Sequence, residues 1–184
     1  MKAPCLKSVT LIVSIISIIY AITGPVRAAE TGEQSIQVTG GFFMSQGDAQ
    51  TGTAELEVAY GYRLAPRWQT GLRLMASYTM TDPTEDVWTG STTAYVNFYP
   101  LGNDPNQRLQ PFIGTFLGEG WSDVDNEITY GPTAGLQYDF SKSTYFVFQY
   151  HYEAYIKRID AGAETNNFDD GNHVMTMGLG YRWK

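Results

Sequence analysis

Eight times between residues 34 and 183, the chain passes through a stretch in which apolar residues alternate one by one with polar or small ones. The stretches are residues 34–45, 53–64, 68–79, 90–99, 109–121, 129–140, 144–156 and 173–183. A period of two belongs to extended backbone, whose successive side chains point to opposite faces. In 53–64, Ala54, Leu56, Val58, Tyr60, Tyr62 and Leu64 share one face, while Glu55, Glu57, Ala59, Gly61 and Arg63 share the other. In 173–183, Met175, Met177, Leu179, Tyr181 and Trp183 alternate with Val174, Thr176, Gly178, Gly180 and Arg182. These stretches outrun the roughly 5–6 residues usual for strands in soluble sheets. They match the ~9–11 tilted residues with which a strand crosses a bilayer.

The distribution of side chains decides which face turns outward. Glycine and charge gather on one face, as a crowded interior lined with ion pairs requires. Aromatic residues gather at the two ends of the other face, with aliphatic residues between them. Tyr62, Trp68, Phe140, Phe146, Tyr181 and Trp183 fall near one set of turns, and Tyr78, Trp88, Trp121, Tyr130 and Tyr152 near the other. Two aromatic girdles around an apolar band mark a wall that faces lipid. An even number of strands suits a closed bacterial barrel, and closure removes the exposed edges of so long a sheet. The expected fold is therefore all-β: a closed antiparallel eight-stranded transmembrane β-barrel. A one-residue slip in 53–64 would turn Glu55, Glu57 and Arg63 into lipid, so the register is strongly specified.

Residues 1–28 form a separate unit, with 29–184 as the single barrel domain. Lys2 and Lys7 precede the apolar stretch 9–22, and Val26-Arg27-Ala28 supplies small residues at a cleavage site. This is the pattern of a cleaved secretory signal peptide, and the apolar stretch is shorter than the ~20 residues of a spanning helix. Cys5 lies before that stretch, where a lipid-anchoring cysteine would follow it, and the chain has no other cysteine. Removing Lys2, Lys7 and Arg27 takes the formal net charge from −7 to −10. That balance argues against nucleic acid as a partner, since phosphate backbones need a basic footprint.

Short connections at Ala65-Pro66-Arg67 and Ser141-Lys142-Ser143, with a longer one at 100–108, form one set. Residues 46–52, 80–89, 122–128 and 157–172 form the other. Short turns face the periplasm in such barrels and long loops the exterior. The long loops carry Asp48, Asp82, Glu85, Asp86, Asp123, Asp125, Glu127, Asp160, Glu164, Asp169 and Asp170. These acids read as solvated loop charge, or as sites where divalent cations bridge to lipopolysaccharide phosphates. The run from Asp123 to Glu127 begins like a calcium loop, but it lacks the glycine and the distal glutamate that an EF-hand needs.

The inward face holds Glu55, Glu57, Arg63, Arg73, Asp139, His151, Glu153 and Arg182. Four acids facing three arginines and a histidine read as internal ion pairing, because buried charges need partners. An eight-stranded barrel leaves room for little besides side chains. The competing reading is a narrow polar conduit or a cation-sensitive cluster. Gly114, Gly118, Gly131, Gly135, Gly178 and Gly180 recur on the same face, where they relieve crowding.

The final strand, Met177-Gly178-Leu179-Gly180-Tyr181-Arg182-Trp183, and the run Leu109-Gln110-Pro111-Phe112-Ile113-Gly114 resemble the small eight-stranded outer-membrane β-barrel domain family, the OmpA/OmpX-like barrels. The resemblance implies a bacterial outer-membrane location. It also implies a terminal strand read by the barrel-assembly machinery through Leu179, Tyr181 and Trp183, with Lys184 as an added residue. Outer-membrane lipids and lipopolysaccharide are the expected surroundings, with a monomeric barrel, no cofactor and no metal. A related barrel family removes acyl chains from lipid A with a His-x-Ser motif. Here the corresponding stretch is His151-Tyr152-Glu153-Ala154, without the serine, so the expectation is a non-enzymatic barrel with a structural or surface-interaction role. Its alternatives are a lipid-modifying enzyme using His151 and Glu153, a low-conductance pore, or a soluble lipocalin-type calyx.

Overall fold

The computed structural model describes residues 30–45, 51–81, 87–102, 107–122, 126–157 and 172–184. The signal-peptide reading, Cys5 and all the acidic loop residues except Glu127 lie outside the described residues; Glu127 falls in a strand. Eight strands run β1 (Gln34–Ser45), β2 (Thr51–Ala65), β3 (Trp68–Thr81), β4 (Val87–Phe98), β5 (Leu109–Ser122), β6 (Asn126–Asp139), β7 (Thr144–Lys157) and β8 (Asn172–Trp183). Each pairs antiparallel with its neighbours in sequence, and β1 pairs with β8 to close the barrel. No helix occurs among the described residues.

Pairing climbs the wall. Gln34 lies opposite Tyr62, Tyr62 opposite Thr70, Thr70 opposite Val96, and Val96 opposite Thr115. This stagger is what tilts the strands and sets the width of a closed barrel. Several strands run longer than alternation alone delimits them. β4 begins at Val87, which brings Trp88 into the sheet, and β2 reaches from Thr51 to Ala65. A bulge between Arg63 and Ala65 ends the β2–β3 ladder at the Pro66–Arg67 turn.

The end of the barrel that carries both described termini is tied by hydrogen bonds among its described residues. Pro100 and Gly102 (φ +63°) form a turn in which the Gly102 N–H donates to Tyr99 O at 3.1 Å. Proline fixes the entry to such a turn and glycine alone takes its positive φ without strain. Between β6 and β7, Ser141 Oγ accepts from the N–H groups of Ser143 (3.2 Å) and Thr144 (3.0 Å). The segment before β1 is pinned by Arg63 N donating to Glu33 O and Gly32 N donating to Arg63 O, both at 2.8 Å.

The apolar set faces out. Leu56, Leu72, Leu74, Ile113, Leu117 and Met177 are each more than half exposed. In a soluble domain a contiguous apolar band encircling the molecule would drive aggregation; against lipid it is the expected wall. The lipocalin-type alternative, which needs its apolar face inside, is set aside by this arrangement. Aromatic pairs mark both ends of the band, with Trp68 and Phe98 centroids 4.9 Å apart and Tyr78 and Trp88 4.7 Å apart.

Candidate functional site

The eight polar residues singled out from the sequence are all buried inside the barrel, and the geometry divides them into groups. Near the turn end, Asp139 on β6 is the hub. It pairs with the Arg182 guanidinium from β8, accepts from Gln110 Nε2 at 3.0 Å, and accepts from Gln137 Nε2 at 2.9 Å. Arg182 also lies 3.9 Å from Glu33. Arg63 stacks over the Tyr99 ring at 4.1 Å, and Tyr99 donates its hydroxyl to Gln69 Oε1 at 2.8 Å. Gln69 in turn donates to Ser35 Oγ at 3.0 Å.

Farther up, Glu57 on β2 is the second hub. Arg73 Nε from β3 lies 3.3 Å from one carboxylate oxygen. Gln149 on β7 donates to both oxygens, at 3.0 and 3.1 Å. Strands β2 and β7 are not neighbours, so this contact crosses the lumen. Arg73 also stands over the rings of Tyr95 and Phe116, at 5.4 and 5.5 Å.

His151 and Glu153 sit one step toward the loop end, with His151 Nε2 3.3 Å from Glu153 Oε1. Neither ring nitrogen of His151 has hydrogen-bond geometry toward any partner, so this is a close approach rather than a directed bond. The imidazole is fully buried, edge-on to Phe116 at 5.6 Å. Glu55, above Glu57 on the same strand, is buried with Oε1 unpartnered. Among the described residues no cluster of His, Cys, Asp and Glu is arranged to hold a metal ion.

Two features of the interior escape the alternation argument. The first is a set of inward aromatics: Tyr95, Tyr99, Phe112, Phe116 and Tyr145. Each except Tyr99 lies directly across from a glycine: Tyr95 opposite Gly71, Phe112 opposite Gly135, Phe116 opposite Gly131, and Tyr145 opposite Gly180. A Cβ at Gly135 or Gly180 would run into the Phe112 or Tyr145 ring, so those glycines make the space the rings fill. The cross-strand Gly–aromatic pairing is the sequence signal that locates them. The second is the set of amides, Gln69, Gln110, Gln137 and Gln149, which extend the ion pairs into networks.

The terminal-strand residues Leu179, Tyr181 and Trp183 lie on the outward face, with the Tyr181 and Trp183 rings stacked at 6.0 Å.

No family model matches the chain, and no curated protein matches it in sequence. Solved structures do. OprG, an outer membrane protein of Pseudomonas aeruginosa, superposes with a TM-score of 0.60 at 12% identity, covering 86% of this chain and 99% of its own. Neisserial surface protein A superposes with a TM-score of 0.56 at 17% identity, covering 83% of this chain and 95% of its own. The fold is that of the small eight-stranded barrels of bacterial outer membranes, and the exposed apolar band is its lipid-facing wall.

Proposed function

We propose that this barrel is a sealed, non-enzymatic outer-membrane protein whose work lies at its surfaces. The wall anchors it in lipid, and its acidic loops meet the medium and the lipopolysaccharide layer. The observation that carries the reading is the Glu57–Gln149 contact across the lumen, with Arg73 on one side. Together with the Asp139 hub below it, this braces the interior at two heights, and Glu57, Asp139 and His151 have no exposed surface.

The same geometry argues against the enzyme reading. A general base must reach the proton it abstracts, directly or through one water. His151 is fully buried, edge-on to Phe116, and the motif position beside it holds Glu153 rather than serine. Lipid A mass spectra from cells with and without the gene test this directly. Unchanged spectra are expected; a missing or extra acyl chain would make His151 and Glu153 the working pair.

Orientation follows from connection length, with short turns in the periplasm and segment 158–171 outside. Trypsin added to intact cells is expected to cut at Arg158, and complete protection there would reverse the orientation. We further propose that Leu179, Tyr181 and Trp183 are read during assembly. Trp183→Ala is expected to lower the amount of folded barrel in cells several-fold while leaving its refolding from urea into detergent unchanged. Equal losses in both settings would make Trp183 a structural residue only.

A further inference from the structure

The outward wall carries a concavity of about 510 Å³, within the roughly 300–1,000 Å³ of small-ligand sites. It follows a cross-strand row: Trp68, Phe98, Ile113, Ala134 and Tyr150 are successive partners on β3 to β7. Thr115 and Pro132 lie beside that row and, with Ala134, supply its small floor. Bulky Trp68 and Phe98 stand at one end and Tyr150 at the other. The β6–β7 ladder has no pairs at Gly131 and Pro132, since proline has no N–H to give.

The hydroxyls around this trough are turned away from it. Thr115 Oγ1 donates to Gly131 O at 2.9 Å, beside the ladder gap, which leaves its methyl group facing out. Thr133 Oγ1 donates to Tyr150 O at 3.2 Å. The Tyr150 hydroxyl is engaged with His173 Nδ1 at 2.6 Å. A trough whose polar groups are already satisfied suits hydrocarbon rather than a headgroup. Its four strand spacings follow about 19 Å of the wall, rising obliquely because the strands tilt.

The trough starts at the turn end, where Trp68 follows Arg67. Arg67 and Arg108 are both exposed at this rim and have no ion-pair partner among the described residues. The Arg67 and Arg108 carbonyls are tied to Tyr99 N and Asp139 N, each at 2.8 Å, which fixes where the two side chains start.

We infer that this trough holds one acyl chain of an anionic glycerophospholipid of the inner leaflet, with Arg67 and Arg108 receiving its phosphate. The inference rests on the lipid-facing wall and the orientation given above.

The test uses phosphatidylglycerol as the probe. The purified barrel, mixed with it in detergent, is expected to retain one copy in native mass spectrometry. Ala134→Trp fills the trough from its floor and should cut retention at least tenfold, whereas Leu74→Trp on another part of the wall should not change it. Arg67→Gln with Arg108→Gln should weaken retention several-fold. Equal retention by the parent and Ala134→Trp overturns the inference, as does a dimer of the barrel in place of the lipid adduct. A measurement on the unaltered protein guards against a variant that fails to fold. Phosphatidylglycerol with a photoactivatable acyl chain, in phosphatidylcholine vesicles, should label Ile113, Thr115 and Ala134 above the rest of the wall. Uniform labelling of all strands overturns the trough and leaves the lipid-facing wall standing; no labelling overturns both.

Discussion

Arg182→Met is expected to destabilise the barrel by about 3–5 kcal/mol, because it leaves a fully buried carboxylate without its cation. Asp139 would keep the hydrogen bonds from the amide donors Gln110 and Gln137, with Arg63 as a more distant cation. Those bonds satisfy oxygen lone pairs but supply no net charge. Urea-dependent unfolding in detergent micelles reads the loss. The double variant Asp139→Leu with Arg182→Met removes both charges and should recover much of it, since apolar replacement of a whole buried pair is often close to neutral. Recovery should stop short of the parent, because the two glutamine amides lose their acceptor, at roughly 1–3 kcal/mol for each donor left unsatisfied. An Arg182→Met variant as stable as the parent would contradict the role given to the Asp139 hub.

Leu74→Arg carries the second large effect. Leu74 lies midway along β3, outward and more than half exposed. An arginine at the bilayer midplane of a barrel costs roughly 2–4 kcal/mol, while near the interface the cost falls to about 0–1 kcal/mol. Trp88→Arg, in the girdle at the loop end of β4, should therefore cost much less. Unfolding from phospholipid vesicles measures both. Equal effects at the two positions would mean that the outward face does not see a depth-dependent medium, and the wall would have to be reassigned.

The sequence carries the wall more plainly than the interior. The wall was readable because lipid imposes one rule on every outward position. Leu56, Val58 and Tyr60 alternate with Glu57 and Ala59, and only one face of that pattern tolerates hydrocarbon. The interior obeys no single rule. A small lumen accepts any side chain whose volume and hydrogen bonds are matched across the barrel, so Phe112 and Phe116 can face inward beside Gln110. Their placement depends on Gly135 and Gly131 on the neighbouring strand, a relation between segments that alternation within one segment does not carry. Partner choice among the buried polar groups is equally hidden in the sequence. Glu57 meets Gln149 only because closure and stagger bring β2 and β7 to face each other. The lateral trough likewise depends on Thr115, Pro132 and Ala134 falling side by side on two strands.

A lumen sealed by its own side chains conducts no ions. Current across a planar lipid bilayer containing the purified barrel tests it most directly. No discrete conductance steps above the bare membrane are expected. Steady single-channel openings, lost or altered on changing Glu57 or Gln149, would contradict it and make the interior a conduit.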